Sequence, residues 1–425
     1  MSICGLPSLL SPSAECPSCK GLWAAEAGSF AVTIPALSPA SVVHPDCLEH
    51  PRGDELRVSL TSPPEGVSVH APYGPLIGQQ VIEDPDAGLW SSDVVLTVPG
   101  GTRGYPAMVG GGVASTADDA LTLGWIEALE RRCSLRRPRG QLVFAGRPPG
   151  PTLPLEAAES PTWWAAAHTL DGSALWLPLQ DTVLASQWRG GSPCTTDSTG
   201  MSAHTSKESA IFHGLRECVE RAGLHQWWTQ QGSRRCSDHS LVATALLHAS
   251  TLALPQSDCE AWHVRLGRWQ VAGCLIFTET KEGFRAAFGA GAALGADAAV
   301  RAAWREAFQM HTAPQLTVAR DGQLVFGAAI GHTLIDDDFR ARFLRDFPTS
   351  PGCLELAEAG TDPTERDEVD SLLKAIDRPV ATVDTGDELT DALGLHVLRV
   401  ICPGMPKFTP GTRAPSGLTP AFLGG

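Results

Sequence analysis

Residues 198–223 read STGMSAHTSKESAIFHGLRECVERAG, and the spacing of small and acidic residues in this stretch occurs three times in the chain. The other two copies are ADDALTLGWIEALERR at 117–132 and GAGAALGADAAVRAAWREAFQ at 289–309. Each copy has an alanine seven residues before a glutamate, and a second polar residue three residues after that glutamate. These two polar positions are occupied by Glu127 and Glu130, by Glu217 and Glu220, and by Glu306 and Gln309. Because successive copies lie about 90 residues apart, the pattern indicates three related structural units.

The pattern predicts the same local structure in each unit, a glycine-rich segment followed by a helix. Glycines at 110–112, at 200, and at 289 and 291 precede the three helices. At about 100° per residue, the small residues and the acids of one helix share a face, and the apolar residues share the opposite face. We therefore expect an α/β fold of three related β–helix units that surround a central site. The apolar face is expected to pack on a sheet, and the small residues on the acidic face are expected to let another group approach closely.

The acidic face has two interpretations. Glutamates paired with arginines four residues later, as in Glu127–Arg131 and Glu217–Arg221, are typical of a solvated helix surface. Three acidic helices at constant spacing favour a binding site instead, because converging carboxylates are ligands for hard cations such as Mg²⁺. Mg²⁺ also keeps coordination positions open for phosphate oxygens. In such a site, Arg131 and Arg221 would lie near phosphate charge.

These motifs resemble the signatures of the YcaO superfamily, and four of them occur in the family's order. The stretch STGMSA at 198–203, together with the helix that follows it, is similar to the central signature. Residues 117–132 resemble the earlier E-x-x-E-R helix, and residues 289–309 resemble the later E-x-x-Q helix. VLRVICPGMP at 397–406 resembles the C-terminal strand of the family.

The resemblance extends from about residue 102 to residue 406, and it implies an enzyme that binds ATP and Mg²⁺ without a P-loop. No G-x-x-x-x-G-K-[ST] sequence occurs in the chain. By motif match, the nucleotide site would contain Glu127, Glu130, Arg131, Glu217, Glu220, Arg221, Glu306 and Gln309. The ligands of the Mg²⁺ would be Glu127, Glu130, Glu217 and Glu220. No residue beyond this site is assigned a catalytic role.

The best-known members of the superfamily are cyclodehydratases of ribosomal peptide natural products such as bacteriocins and antibiotics. In these enzymes the side chain of a Cys, Ser or Thr in a precursor peptide attacks the preceding amide, ATP activates the amide oxygen, and a thiazoline or oxazoline forms. The resemblance implies three partners: the precursor peptide, an E1-like protein that binds its leader, and a flavin dehydrogenase subunit. It also implies a homo- or hetero-oligomer. Formation of thioamides or amidines, as in other members, is the alternative chemistry.

Three positions depart from the family pattern near the nucleotide motifs. Val113 replaces a lysine that usually reaches the nucleotide, and Leu123 replaces a serine four residues before the first glutamate. Ala222 replaces an acid that usually follows the second E-x-x-E-R motif. A non-catalytic scaffold that docks a precursor, or that holds a synthetase complex together, is therefore a third hypothesis.

A separate prediction concerns the N-terminal segment, which is rich in Ser, Pro, Ala and Cys. Cys16 and Cys19 form one C-x-x-C half-site, and Cys47 and His50 form a C-x-x-H half-site 28 residues later. Three thiolates and one imidazole suit a tetrahedral structural zinc site. His44 is a competing ligand for the same ion. A loop with free thiols is the alternative to zinc.

Composition and charge bound the class of protein. The 425 residues carry a formal net charge of −15, which argues against a general nucleic-acid or anionic-membrane surface. No run of about 18 apolar residues occurs, and the N-terminus lacks the basic region of a secretory signal. We therefore expect a cytoplasmic protein without a nucleic-acid or membrane partner. The expected organisation is a Cys/Pro-rich module at 1–60, a YcaO domain at 61–406 and a Pro-spaced tail at 407–425.

Three further groups carry predictions of their own. Cys133, Cys218 and Cys274 have apolar surroundings in the sequence and are expected to be core thiols. His213 falls on the acidic face, where it is either a proton shuttle or an interior histidine. The basic run at 131–139 is either a surface for an acidic leader or partner, or a solvated loop.

Overall fold

The computed structural model of the chain describes residues 76–84, 88–97, 107–135, 138–153, 162–183, 198–229, 235–236, 257–280, 283–316, 334–335, 349–350, 365–406 and 408. The expected N-terminal module at 1–60 lies outside the described residues. The expected tail at 407–425 also lies outside them, apart from Phe408. The predicted zinc ligands therefore stay a prediction; they are Cys16, Cys19, Cys47 and His50, with His44 as the competing ligand.

Within the described ranges the chain forms fifteen strands and six helices. The strands are β1 Leu76–Asp84, β2 Leu89–Thr97, β3 Ala107–Ala114, β4 Leu142–Ala145, β5 Thr162–Thr169, β6 Ala174–Pro178, β7 Met201–His204, β8 Arg235–Cys236, β9 Ser257–Leu266, β10 Trp269–Thr280, β11 Gly283–Ala293, β12 Leu334–Ile335, β13 Thr349–Ser350, β14 Ala381–Asp384 and β15 His396–Ile401. The helices are α1 Ala117–Ser134, α2 Leu179–Thr182, α3 Lys207–Thr229, α4 Ala296–Leu316, α5 Glu365–Ile376 and α6 Glu388–Ala392. None of these helices combines the length and the apolarity that crossing a membrane requires.

The strands form three sheets, which we number by the unit to which they belong. Sheet 1 contains β1, β2 and β3 in antiparallel order. Sheet 2 has the order β4-β5-β14-β15-β7, with β6 paired to β5. Sheet 3 has the order β12-β11-β10-β9-β8-β13, and its long strands β9, β10 and β11 are antiparallel.

The three long helices alternate with the three sheets. α1 packs on β2 and β3 of sheet 1, and it also contacts β7 and β15 of sheet 2. α3 packs on β7 and β15 of sheet 2, and it also contacts β9, β10 and β11 of sheet 3. α4 packs on β10 and β11 of sheet 3, and it also contacts β2 and β3 of sheet 1. The units therefore close into a ring, which confirms the predicted α/β fold of three related β–helix units.

Glycine brings each long helix very close to a strand of its own unit. A Cβ atom built on Gly110 in β3 would lie 2.1 Å from the backbone nitrogen of Ala128 in α1. A Cβ atom built on Gly214 in α3 would lie 2.9 Å from the carbonyl oxygen of Gly200. The small residues of the acidic face thus meet the strand backbone. The close approach that these small residues were expected to permit is therefore made by the chain's own backbone.

We expect the replacement of Gly289 by alanine to destabilise the protein by about 3 kcal/mol. The new methyl group would lie 2.1 Å from both the carbonyl oxygen of Ala303 and the backbone nitrogen of Ala307, so β11 and α4 would have to separate. Urea unfolding measures the loss. Gly295→Ala is the matched control, because no atom lies within 4 Å of its added Cβ. Equal losses in the two variants would contradict the close-packing account.

The largest apolar core lies between α3 and sheet 3 and is rich in tryptophan. The rings of Trp227 and Trp262 stack with their centroids 4.0 Å apart, and Trp228 is fully buried. Phe408, which follows the last strand, packs against Trp228 at a centroid distance of 5.8 Å. The prediction of core thiols is confirmed, because the cysteines in question are buried; they are Cys133, Cys218 and Cys274.

Candidate functional site

In each unit, the first glutamate of the motif accepts a hydrogen bond from the backbone of its own glycine-rich segment. The three bonds join Gly111 N to Glu127 Oε2 at 2.6 Å, Gly200 N to Glu217 Oε2 at 2.9 Å, and Ala290 N to Glu306 Oε2 at 2.7 Å. The donor always lies 16 or 17 residues before the acid. The close packing of helix on strand therefore fixes one oxygen of each carboxylate, and it does so in the same way three times.

The second polar position of each motif faces the following unit of the ring. Glu130 in unit 1 accepts a hydrogen bond from the backbone of β7 in unit 2. Glu220 in unit 2 lies close enough to Glu306 in unit 3 to raise the pKa of that group. Gln309 in unit 3 donates from Nε2 to Oε2 of Glu127 in unit 1, at 3.1 Å. The structure thus brings the predicted motif residues of all three units into one connected set.

Burial and mutual repulsion raise the pKa values of the acids in this set. Burial, and then the charge of Glu127, raise the pKa of Glu130 from an ordinary 4.5 to about 7. Burial, and then the charge of Glu220, raise the pKa of Glu306 from 4.5 to about 7. Burial also raises the pKa of Glu220, although the charge of Arg221 opposes that rise. The carboxyl groups are therefore crowded in a poorly solvated region, which is a condition that a bound cation relieves.

Arg131 and Arg221 occupy equivalent positions but differ in exposure. Arg131 lies 2.6 Å from Glu127 Oε1, and 42% of its side chain is exposed. Arg221 lies 3.6 Å from Glu217 Oε1 and 4.0 Å from Glu220 Oε1, and only 15% of its side chain is exposed. The pairs of the solvated-surface interpretation exist, but those around Arg221 are largely buried. Anionic and cationic groups lie side by side, which suits a complex of a cation with phosphate.

The residues present fit a Mg²⁺ ion that is shared with a nucleotide. Within the described ranges, no three His, Cys, Asp or Glu side chains have the arrangement of a complete protein metal site. Mg²⁺ commonly binds one or two carboxylates and takes its other ligands from water and phosphate. The pair Glu127 and Glu130, or the pair Glu217 and Glu220, supplies that number of carboxylates.

Sequence reasoning misses Asp93, a buried carboxyl group beside this set. Asp93 lies in β2, is 7% exposed, and pairs across the strands with Gly111. Directly paired residues share one face of a sheet. That face is the one turned to α4, because a Cβ atom built on Gly111 would lie 2.6 Å from Gln309 Nε2. The sequence does hold one signal of this residue: Asp93 is an acid within a strand, LWSSDVVLT, whose other residues are apolar or small.

The structure favours the interior interpretation of His213. Its ring stacks on that of His204 with the centroids 5.2 Å apart. Burial lowers the pKa of His213 to about 4, and the neighbouring Arg216 and His204 add to this effect. His213 is therefore uncharged at neutral pH, whereas a proton shuttle works best with a pKa near the operating pH.

The basic run at 131–139 is partly engaged within the chain. Arg132 forms a buried ion pair with Asp387. Arg139 lies 2.5 Å from Asp391 and 3.9 Å from Asp384. These arginines tie the end of α1 to the segment around α6. Neither predicted role describes the buried Arg132, whereas Arg139, which is 31% exposed and pairs with two exposed acids, agrees with the solvated loop.

The positions that depart from the family pattern are accommodated in two ways. Val113 is buried in an apolar cluster with Val300 and Trp304 of α4, so it contributes to the packing of unit 3 on unit 1. Ala222 is also buried, whereas Leu123 is exposed on α1. In the part of the site that the structure describes, positive charge comes from arginine side chains.

The raised pKa values predict an unusual pH dependence of stability in the absence of a cation. Glu306 binds its proton more tightly in the folded chain than in the unfolded chain, so its contribution is present below about pH 4.5 and is lost as the pH rises through about 7. Glu306→Gln should therefore be more stable than the wild type at pH 8 by about 3 kcal/mol, since a tenfold change in proton affinity corresponds to about 1.4 kcal/mol. The two proteins should differ little at pH 4.

Urea unfolding at both pH values, in the presence of a chelator, makes this measurement. Glu208→Gln is the matched control, because Glu208 is exposed in the first turn of α3. A stability difference for Glu306→Gln that is equal at the two pH values would contradict the electrostatic account.

Comparison with known proteins identifies the family and shows the shared fold. The family model described as YcaO cyclodehydratase, ATP- and Mg²⁺-binding, matches residues 145–406. YcaO from Methanopyrus kandleri, whose structure was solved with AMPPCP and Mg²⁺ bound, is similar with 16% identity and a TM-score of 0.60, over 78% of this chain and 86% of that chain. A heterocyclase in complex with substrate and cofactor is similar with 17% identity and a TM-score of 0.56, over 80% of this chain.

The chain spans about half the length of that heterocyclase, 51%. The E. coli microcin synthetase McbBCD complex has a chain with 13% identity and a TM-score of 0.50, over 76% of this chain and 87% of that chain. No curated protein matches the sequence. At these identities the structural likeness shows the fold, and the family match covers more than half of the 425 residues. The chain belongs to the YcaO family of ATP- and Mg²⁺-binding cyclodehydratases.

Proposed function

We propose that the chain uses ATP and Mg²⁺ to activate backbone amides of a ribosomally made precursor peptide. Cys, Ser or Thr residues of that peptide would be converted into thiazoline or oxazoline rings during the biosynthesis of a peptide natural product. The observation that supports this proposal is the connected set of carboxyl groups and guanidinium groups. It joins all three units and is crowded enough to raise the pKa of Glu130 and Glu306 to about 7.

The residues of the set would divide the work of holding the nucleotide. Glu127 and Glu130 in unit 1, together with Glu217 and Glu220 in unit 2, would bind Mg²⁺. Arg131 and Arg221 would stabilise negative charge on phosphate oxygens. Glu306 and Gln309 would complete the set from unit 3, Gln309 through its hydrogen bond to Glu127.

Bound ATP would supply the phosphoryl group that turns the amide oxygen into a leaving group. The chain's own contribution is to position the reacting groups and to balance charge.

The attacking nucleophile would belong to the substrate. The thiol or hydroxyl of the precursor attacks the preceding carbonyl carbon, so the enzyme needs no nucleophile of its own. The thiols that the structure describes in detail agree with this division, because they are buried; they are Cys133, Cys218, Cys274 and Cys402. A buried thiol cannot reach a peptide substrate.

We also propose that the chain works within a complex. One structural neighbour is a chain of a microcin synthetase complex, and the family resemblance adds an E1-like leader-binding protein and a flavin dehydrogenase. The proposed organisation is an N-terminal module at 1–60 that binds zinc, a YcaO domain at 61–406 and a tail at 407–425. Metal analysis of the purified chain, with Cys16→Ser and Cys19→Ser as controls, tests the zinc site.

Mass spectrometry of the precursor tests the proposed reaction. The assembled complex is incubated with precursor, ATP and Mg²⁺, and loss of one water per ring is the expected result. Glu217→Gln should abolish this loss, whereas the exposed control Glu208→Gln should retain it. Exchange of amide oxygen for sulfur would instead show thioamide formation. Binding of precursor without ATP consumption would favour the scaffold hypothesis, which Val113 and Leu123 suggest.

A further inference from the structure

Gln309 occupies the position at which units 1 and 2 carry their second glutamate, and its amide donates a hydrogen bond to the first glutamate of another unit. We propose that Gln309 is a positioning residue that holds Glu127 in place, and that it binds neither the nucleotide nor the cation. The geometry of this contact does not depend on the function proposed above. Its consequence for nucleotide binding does rest on that function.

The contacts of Glu127 show what Gln309 does. Oε2 of Glu127 accepts hydrogen bonds from Gly111 N at 2.6 Å and from Gln309 Nε2 at 3.1 Å. Oε1 of the same carboxylate lies 2.6 Å from Arg131. The two donors on Oε2 come from a strand of unit 1 and a helix of unit 3. They hold this oxygen against the fold and leave Oε1 on the side of the exposed arginine.

The absence of a side chain at Gly111 is what admits Gln309. A Cβ atom at Gly111 would lie 2.6 Å from Gln309 Nε2 and 3.3 Å from Gln309 Cδ. Any larger residue in this position of β3 would displace the amide from Glu127. The strand sequence of unit 1 and the helix sequence of unit 3 therefore fit each other at this contact, which closes the ring.

An amide suits this position better than a carboxylate. Gln309 donates a hydrogen bond without adding charge, whereas an ionised glutamate would place a second negative oxygen next to Glu127 Oε2. Asp93 pairs with Gly111 beside this contact. Burial, and also the charge of Glu127, already raise the pKa of Glu306, so a further charge would be costly. A glutamate at 309 could replace the glutamine only in its protonated form, which still donates a hydrogen bond.

A double-mutant cycle on the nucleotide-free protein tests the contact itself. Gln309→Met and Glu127→Met are made singly and together, and the unfolding equilibrium constant is measured in urea. We expect the two changes to be coupled by about a factor of ten, because a hydrogen bond to a charged group is broken by either one. Arg305→Met, at an exposed position of α4, should be additive with Glu127→Met. Additivity of Gln309→Met with Glu127→Met would overturn the proposal.

The variant Gln309→Glu distinguishes a positioning residue from a ligand. We expect its affinity for ATP with Mg²⁺ to fall about tenfold at pH 8 relative to the wild type, because an ionised carboxylate at this position cannot donate to Glu127 and repels it. A cation ligand would give the opposite result, because a carboxylate binds Mg²⁺ at least as well as an amide. Unchanged or tighter binding at pH 8 would overturn the proposal.

Failure of the proposed function gives a different pattern from failure of this inference. A wild-type chain that binds no ATP even in its complex would refute the function, and the double-mutant cycle would still report on Gln309. A wild-type chain that binds ATP, together with an additive cycle, would refute the role of Gln309 alone.

Discussion

Replacement of Glu220 by glutamine should lower ATP turnover by a factor of about 10²–10³, the loss expected when one preorganised charge is removed from an active site. Glu220 lies beside Arg221, and its charge raises the pKa of Glu306 in the next unit. Its charge therefore acts on groups in two units of the ring. The amide keeps the size of the side chain, so the fold should be preserved. The assay is phosphate release by the assembled complex with precursor, ATP and Mg²⁺.

Two comparisons make this result specific. Glu208→Gln, in the exposed first turn of the same helix, should turn over ATP at the wild-type rate. Precursor binding by Glu220→Gln should match that of the wild type, because the substitution removes charge from the nucleotide set and leaves the rest of the surface intact. Turnover by Glu220→Gln at the wild-type rate would refute the site assignment.

Replacement of Asp387 by asparagine should reduce the free energy of unfolding by about 3–5 kcal/mol, the usual result of leaving one buried charge without its partner. Asp387 forms an ion pair with Arg132, and both side chains are almost fully buried. Asp387 Oδ1 also accepts hydrogen bonds from Leu389 N and Thr390 N at the start of α6. Asparagine can retain those capping bonds, so the measured loss would report mainly on the ion pair.

A neighbouring pair supplies the control for Asp387. Asp384 lies 3.9 Å from Arg139, and 59% of its side chain is exposed. Asp384→Asn should therefore cost less than about 1 kcal/mol in the same urea titration. Arg132 lies two residues after Glu130 in α1. We therefore also expect Asp387→Asn to loosen the end of the helix that carries Glu130. A small loss for Asp387→Asn, equal to that of the control, would show that the buried pair contributes little to stability.

The helices and their acids could be predicted because they depend on local spacing. The sequence predicts a helix directly after STGMSA at 198–203, and the structure has α3 from Lys207 to Thr229. The same spacing of alanine, glutamate and a second polar residue recurs in three segments, and this recurrence identified the three helices as equivalent. A repeat carries this information within each segment, so no knowledge of the tertiary structure is needed.

The strands beside these helices were harder to predict. β3 reads AMVGGGVA, and three consecutive glycines normally argue against a strand. The glycines are explained by the helices that pack on the two faces of β3. A Cβ atom on Gly110 would strike the backbone of Ala128 in α1, and one on Gly111 would lie 2.6 Å from Gln309 Nε2 in α4. Composition alone misleads at a second place. The sequence DTVLAS at 181–186 is typical of a strand, but Asp181 and Thr182 end the short helix α2.

The composition of the candidate site could be predicted, but its connections could not. Glu127, Glu217 and Glu306 were identified as equivalent acids, and the structure shows that each accepts a backbone N–H from its own unit. The contact of Gln309 with Glu127 joins residues 182 positions apart, and no local spacing indicates it. Asp93 was missed because a single acid in a short strand forms no pattern.

Calorimetric titration of the chain with ATP and Mg²⁺, alone and with its partner complex, tests the central claim most directly. That claim is that the acidic helices of the three units form one nucleotide site. We predict binding that requires Mg²⁺ and that is lost in Glu217→Ala but retained in the exposed control Glu208→Ala. Failure of the wild-type chain to bind ATP even within the assembled complex, or equal binding by Glu217→Ala, would contradict the claim.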